Sequence, residues 1–397
     1  MVKNTKWDAN GVYMNERRSG RIGINAGAVT TAKGGAGFHI VHITSALVAL
    51  GAFEKCIVFC SRQGLPNFAS LHSNCKVLPI CPSSVLARLI WEQTVLPFLM
   101  LFLGLRVLLS PNYSTPLIHF GFKNVVTIFD LSFFPLRDLY PRSRQIFRYI
   151  IHLSVRVADE VIAISEHTRR DILKYIGPYS DKISVVHCGV DDRFKRPSLQ
   201  LEITRVREKY GIDTDYILFT GFLEPRKNLG RLLEAYAHSK DLIRQKLVIA
   251  GGQGWWYERT YAMVKNLGIS SRVVFTGYVP DEDLPPLYSG ATLFVFLSLY
   301  EGFGIAPLEA VCCGTPVLAS GNTCLPEVLG KAACYVDPYN TKEIESKLAQ
   351  LLNDPDELNL LRSACEATGA SFSWKKAAYE TSQILLRRPG LRSTALQ

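Results

Sequence analysis

No C-x-x-C pair occurs among the ten cysteines of this 397-residue chain, which excludes a zinc ribbon or a thioredoxin-type redox motif. Cys56, Cys60, Cys188, Cys312, Cys313 and Cys334 sit instead in apolar stretches and read as small buried side chains of a reducing compartment. No short-period repeat or low-complexity tract is present, so solenoids and propellers drop out. No apolar run reaches the roughly 20 residues of a spanning helix. The nearest, Val95–Leu109, is interrupted by Pro97, Gly104 and Arg106. Met1 to Arg21 is polar and basic and has no apolar core of a signal peptide, so residues 1–20 read as a flexible leader and a cytoplasmic location is expected.

What is present is a globular composition, 48% hydrophobic and 20% charged, with a length that suits two domains. The 45 Lys and Arg against 35 Asp and Glu leave a net charge of +10, which favours polyanions, anionic lipid surfaces or phosphorylated small molecules without choosing among them. The greasy stretch at 85–109 reads as a core helix or as a helix lying at the inner face of the cytoplasmic membrane.

Short continuous apolar runs recur at Ile22–Ala26, Cys56–Cys60, Lys76–Ile80, Val107–Ser110, Val125–Phe129, Val161–Ser165 and Ile183–His187. They recur again at Tyr216–Thr220, Lys246–Ala250, Val273–Thr276, Leu293–Leu297, Pro316–Ala319 and Cys334–Val336, with helical patterns between. Such runs fit strands covered on both faces, hence an α/β fold of two doubly wound parallel-sheet domains. The polar stretch ending in Pro197 and Ser198 has a linker composition. The expected division is 21–192, a linker at 193–200, a second domain at 201–371, and a terminal helix at 372–390. Open parallel sheets bind ligands at the carboxyl ends of their strands, so function is sought in the cleft between the two domains.

Three segments there carry candidate chemistry. Lys33-Gly34-Gly35-Ala36-Gly37 precedes a helical pattern, and its glycines allow backbone amides to approach an anion; a ligand-free turn is the other reading, and the spacing does not match a dinucleotide fingerprint. Gly221-Phe222-Leu223-Glu224-Pro225-Arg226-Lys227-Asn228 puts adjacent cations at a strand end where a helix begins. There the helix dipole disfavours them unless an anion is bound; a solvated turn is the alternative. In Glu301-Gly302-Phe303-Gly304-Ile305-Ala306-Pro307-Leu308-Glu309, Gly302 and Gly304 permit close backbone approach. Pro307 suits a first helical turn, and Glu301 and Glu309 bracket it. Glu309 also reads as an ordinary first-turn dipole partner. Neither Asp213-Thr214-Asp215, which precedes its strand, nor Asp281-Glu282-Asp283, which looks like a helix start, has the placement of a metal-binding Asp-x-Asp. The histidines, including His39, His42 and His119, carry no assigned catalytic role.

The last stretch resembles the paired-glutamate motif of the retaining family 4 glycosyltransferases. The resemblance extends through Trp91-Glu92-Gln93, Ser110-Pro111-Asn112-Tyr113, Ile164-Ser165-Glu166, His187-Cys188-Gly189-Val190-Asp191, Gly277-Tyr278-Val279 and Phe372-Ser373-Trp374, roughly residues 21–385. It implies the GT-B fold, two facing Rossmann-like domains, with the terminal helix crossing back to the first. It also implies that Lys227 and Arg226 hold the donor diphosphate, that Glu301 contacts the transferred sugar, that Glu309 bonds the ribose, and that Gly34 and Gly35 approach the donor. Gly221, Gly302, Phe303 and Gly304 complete the donor site. This chain departs at Phe222, where relatives often carry arginine, and at Phe129 before Asp130, where they often carry histidine.

The expected function is a retaining, metal-independent glycosyltransferase that needs no cofactor beyond its nucleotide-sugar. It moves a hexose, mannose from GDP-mannose as first choice, to a glycan acceptor, lipid-linked, in surface-polysaccharide assembly. No nucleic-acid role is expected, and membrane contact is assigned to residues 85–109. Asp130 is an acceptor contact or a structural turn. The rival readings are an epimerase or phosphorylase of the same fold, and a nucleotide-sugar-binding protein without turnover. A glycosidase pair is disfavoured, because one glutamate lies in a loop and the other in the following helix.

Overall fold

A computed structural model describes residues 20–30, 35–71, 75–195, 198–252, 254 and 257–387. The predicted leader, apart from residue 20, together with Gly34, Arg196, Pro197 and the tail beyond 387, lies outside the described residues.

Among the described residues, thirteen strands form two all-parallel sheets. The first contains β1 (Arg21–Asn25), β2 (Lys55–Ser61), β3 (Cys75–Cys81), β4 (Val107–Ser110), β5 (Lys123–Ile128), β6 (Glu160–Ala163) and β7 (Ile183–Val185), in the order β3-β2-β1-β4-β5-β6-β7. The second contains β8 (Tyr216–Thr220), β9 (Lys246–Ala250), β10 (Val273–Gly277), β11 (Leu293–Phe296), β12 (Val317–Ser320) and β13 (Ala333–Val336), in the order β10-β9-β8-β11-β12-β13. The central strands are buried on both faces, which is why their sequences read as unbroken apolar runs. In each sheet the order reverses direction once, beside β1 and beside β8. Loops leaving adjacent strands diverge there and open a crevice at the carboxyl edge.

The chain passes between the lobes twice, and the passages are tied together. Val190 bridges Ser373 in parallel, and a Cβ on Gly189 would lie 2.1 Å from the Trp374 nitrogen. The predicted linker is not wholly solvated: Phe194 is completely buried, edge-on to Tyr288 at 5.9 Å. An apolar side chain inside a polar run leaves no period to read, so the sequence did not show this anchor. The final helix, Trp374–Leu386, packs against the helix Gly35–Leu50 on the first sheet. Lys123 Nζ holds its end, donating to the carbonyls of Ile384 (2.7 Å) and Arg387 (2.9 Å).

The greasy stretch at 85–109 is not one helix. It forms Val85–Thr94 and Leu96–Phe102, bent by 43° at Val95, then a turn through Gly104 (φ +63°) into β4. Pro97 sits in the first turn of the second piece, where its missing N–H costs nothing, and so forces the new start. Among the described residues no single helix is long and apolar enough to cross a membrane, though the bent pair has the combined length and composition.

Because Gly189 has no room for a side chain, Gly189→Ala should cost about 1–3 kcal/mol through overpacking. Urea titration measures this; unchanged stability would mean the two passages are not held together as described.

Candidate functional site

β8 and β11 are hydrogen-bonded neighbours, so the loops that leave their carboxyl ends face each other. The β8 loop turns at Gly221 (φ +144°). It fits because Gly251, after β9, also has positive φ (+153°) and lacks a Cβ that would fall 2.0 Å from the Gly221 carbonyl oxygen. Gly251 was missed in the sequence reading, where the signal was a Gly-Gly pair directly after an apolar strand. A short 3-10 turn, Pro225–Lys227, follows, and left-handed Asn228 (φ +57°) locks it by donating to the Pro338 carbonyl at 2.7 Å.

Arg226 and Lys227 converge on Glu301 of the β11 loop. Arg226 Nη1 lies 2.8 Å from Glu301 Oε1 and 2.7 Å from the Tyr300 carbonyl, and Lys227 Nζ lies 2.8 Å from the same carboxylate oxygen. Lys227 also sits over the Phe296 ring at 4.6 Å. All three side chains are largely buried. Burial alone would push the Glu301 carboxyl up, but Arg226 and then Lys227 override it and hold the group down at about 2. Burial lowers the Lys227 ammonium from its ordinary value. It opposes charge on Arg226 too, but there Glu301 and Asp130 win and the guanidinium is held more firmly protonated. Two cations share this one carboxylate, and Asp130 and Glu224 add further negative charge near Arg226.

Glu309 stands apart, in the helix Ile305–Cys312. It is buried and accepts from Tyr288 Oη (3.2 Å), which also bonds Thr220 at the end of β8 (2.9 Å). Burial raises its carboxyl to about 8. Gly304, in the left-handed region (φ +86°), precedes that helix and offers no side-chain cap to its first amides. A Cβ there would meet Leu325 at 2.5 Å.

Gly302 and Phe303 do something the sequence reading did not foresee. A Cβ on Gly302 would fall 1.8 Å from the Phe129 carbonyl oxygen of the first domain, so this glycine is required by domain contact. Ser165 Oγ donates to the Gly302 carbonyl at 2.7 Å, and Phe303 packs 5.7 Å from Phe372 and 5.9 Å from His187. Beside it, the Tyr300 hydroxyl donates to Asp171 and accepts from the Leu131 amide (3.3 Å). Glu327 reaches across as well, accepting from the Glu166 (2.8 Å) and His167 (3.2 Å) amides at the start of the helix Glu166–Tyr175, with His187 Nε2 at 2.7 Å. Asp171, Tyr300 and Glu327 were missed, and no local pattern marks them.

Asp130 lies on the first-domain side. Its Oδ1 accepts from Ser132 N (2.9 Å) and Oγ (2.6 Å), and its Oδ2 from the Tyr113 hydroxyl (3.0 Å). It therefore orders its own turn, close enough to Arg226 to strengthen that cation. Phe129 is buried edge-on to His39 (4.9 Å) and Tyr113 (5.3 Å). Burial and then His42 pull the His39 imidazole down to about 3, so it is neutral. Gly35 begins its helix with open space around a notional Cβ. Asp283 stands at the N-cap of the helix Leu284–Ser289 as read, but its side chain caps nothing; it pairs with Arg205 (2.8 Å) and Lys209 (2.5 Å). Asp213 pairs with Lys246. Among the described residues no three His, Cys, Asp or Glu side chains cluster as a metal set.

The profile of Glycosyl transferases group 1 matches residues 202–368, and that of Glycosyltransferase Family 4 matches residues 33–194. O-antigen chain mannosyltransferase B of Escherichia coli is 33% identical over 280 residues, 68% of this chain and 72% of that protein. Serotype-specific mannosyltransferase WbdA of Escherichia coli is 34% identical over 227 residues, 56% of this chain but 28% of that longer relative. In fold, the chain is similar to sucrose-phosphate synthase from Thermosynechococcus elongatus, with TM-score 0.74, 20% identity, and 92% and 98% of the two chains covered.

The raised Glu309 carboxyl sets a pH dependence. Its stabilising contribution is complete below the ordinary carboxyl value of 4.5 and is lost as pH rises through about 8, because the folded state keeps a proton that the unfolded state releases. Glu309→Gln should flatten the fall in unfolding free energy across that window, measured by denaturant melts at several pH values. An equally steep fall in the variant would mean another group titrates.

Proposed function

Because this chain belongs to the glycosyl transferases group 1, with a glycosyltransferase family 4 domain ahead of the group 1 segment, we propose that it transfers mannose from GDP-mannose to a hydroxyl of a lipid-linked glycan, with retention of configuration and without a metal ion, in surface-polysaccharide assembly. The choice of mannose is supported by the mannosyltransferases among its relatives. The observation that carries the reading is the Arg226–Lys227 pair converging on Glu301 at the carboxyl edge of the second sheet.

In the free protein Glu301 is the counter-ion of that pair. An arriving diphosphate brings more negative charge to the same two donors, so it takes over Arg226 and Lys227 and frees the Glu301 carboxylate to accept from sugar hydroxyls. In the free protein the two cations keep Glu301 ionised, so it meets the donor without a proton to give, which leaves it positioning and electrostatic work rather than acid catalysis. As the sugar–phosphate bond breaks, negative charge grows on the leaving phosphate. Fixed cations stabilise it there without reorganisation, assisted by the uncapped amides after Gly304. The side chains thus supply the charge a divalent ion would otherwise provide. Glu309, beside the end of β8, faces the ribose and accepts from its hydroxyls. Gly35 approaches the donor from the first domain, and Asp130 with Tyr113 and Ser132 shapes the acceptor side. A lipid-linked acceptor is supported by the apolar side chains Leu86, Ile90, Phe98 and Phe102, which point outward from the bent helix pair at the membrane-contact stretch predicted for residues 85–109.

Lys227→Ala should lower turnover by on the order of a hundredfold or more, the loss typical of one transition-state charge donor. Transfer by the wild-type protein should be unchanged in EDTA. A wild-type rate for the variant, or EDTA inactivation reversed by added metal, overturns the reading. Across a panel of nucleotide-sugars, GDP-mannose should give the largest thermal shift. Tight nucleotide binding with no transfer to any acceptor would instead mark a binding protein.

A further inference from the structure

The crevice of the first domain opens where β1 ends at Asn25 and its neighbour β4 ends at Ser110, and one buried carboxylate spans the gap between the loops that leave them. Glu92, 1% exposed, stands near the end of the helix Val85–Thr94. Its Oε2 accepts from Asn25 Nδ2 (2.8 Å) at the end of β1 and from Ser114 Oγ (3.0 Å) in the β4 loop. Gln93, the next residue, donates through Nε2 to Glu92 Oε1 and to the Thr115 carbonyl, both at 3.2 Å, and accepts from the Leu117 amide at 2.8 Å. One turn earlier, Arg88 Nη1 reaches the Gly27 carbonyl (3.4 Å), and a Cβ on Gly27 would lie 3.1 Å from the Arg88 side chain. The helix thus holds both loops at once.

Burying a carboxylate is costly, and the three donors around Glu92 offset that cost only in one arrangement of the groups that carry them. That arrangement matters next door. Tyr113 has φ +37°, a left-handed conformation that its bulky side chain disfavours, and such strain persists only where the surroundings dictate it. Its amide donates to the Thr127 carbonyl of β5 (3.1 Å), and the two residues that follow it, Ser114 and Thr115, are the ones gripped by Glu92 and Gln93. Thr115 Oγ1 donates in turn to Ser110 Oγ (3.1 Å) at the end of β4. Pinned on both sides, Tyr113 directs its hydroxyl to Asp130 Oδ2 (3.0 Å) and its ring edge-on to Phe129 (5.3 Å).

We propose that Glu92 and Gln93 are positioning residues for the acceptor. By clamping the β4 loop to the β1 loop they hold Tyr113 in its strained turn and so fix the Tyr113–Asp130 pair that receives a glycan hydroxyl, a role that rests on the reading of Asp130 as part of the acceptor side. Glu92 acts through Ser114, and Gln93 through Thr115 and Leu117; both work on the reaction at one remove. Donor binding is left to Arg226, Lys227 and Glu301 of the other domain. Loosening the clamp therefore weakens acceptor capture and spares the nucleotide.

With GDP-mannose as donor and octyl α-mannoside as the acceptor probe, Glu92→Leu should raise the acceptor KM at least about tenfold. Glu92→Gln, whose carbonyl still accepts from Asn25 and Ser114, should stay within about threefold of wild type. GDP affinity measured by calorimetry should change less than about twofold in either variant, a split that general misfolding would not give. Ser114→Ala deletes a single hydroxyl and should raise the acceptor KM in the same direction even if Glu92→Leu fails to fold. Tyr113→Phe should match Glu92→Leu, and the two together should add nothing, because both act through one contact. In the ligand-free chain, hydrogen exchange at the Tyr113 and Leu117 amides should quicken at least about tenfold in Glu92→Leu and stay unchanged in the second sheet. Exchange needs neither donor nor acceptor, so a wild-type chain that transfers to nothing would sink the mannosyl reading and leave the clamp to be decided by exchange alone. Unchanged exchange, equal losses of acceptor and GDP binding, or an acceptor KM indifferent to both Ser114→Ala and Tyr113→Phe overturns the proposal.

Discussion

Removing two cations from water is costly, and a fold that buries Arg226 and Lys227 side by side must place an anion between them. Glu301 fills that role, and it comes from a different loop because β8 and β11 are neighbours in the sheet. Much of the second domain's shape follows from this need. Gly221 and Gly251 let the β8 loop fold back closely enough, Asn228 fixes the turn, and the Tyr300 carbonyl takes the second guanidinium hydrogen bond. Asp130 of the first domain and Glu224 of the same loop add to the negative charge that Arg226 faces.

The same loop also joins the domains. Tyr300 turns its carbonyl to Arg226 and its hydroxyl to Asp171 of the first domain, while Gly302 lies against the Phe129 carbonyl. Glu301 sits between these two anchors, so its position depends on how the first domain is seated. Glu327 adds a third tie by capping a first-domain helix with a second-domain carboxylate, favourable against the positive end of the helix dipole. The seating of the first domain and the position of the Glu301 carboxylate are thereby linked by contact.

The central strands could be read from the sequence because a strand buried on both faces is apolar nearly throughout, a pattern that survives without any knowledge of partners. The cation pair and the two glutamates could be read because their spacing around glycines made little sense as ordinary turns, and because their order resembles a known family. The reading went astray where an apolar tract was taken as one helix across Val95, and it did not foresee that Gly302 lies against the Phe129 carbonyl. In both cases the deciding atom lies far away in sequence or in the geometry of a single proline.

The sequence alone therefore determined the two-sheet architecture, the place of the crevice and the identity of the charged groups in it, since periodicity and local charge are properties of neighbouring residues. Tertiary structure decided which carboxylate neutralises which cation, which glutamate is ionised and which holds its proton, and which glycine answers to a backbone in the other domain. These depend on burial and on distances between residues more than a hundred positions apart, as with Ser165 and Gly302, and no local pattern encodes them.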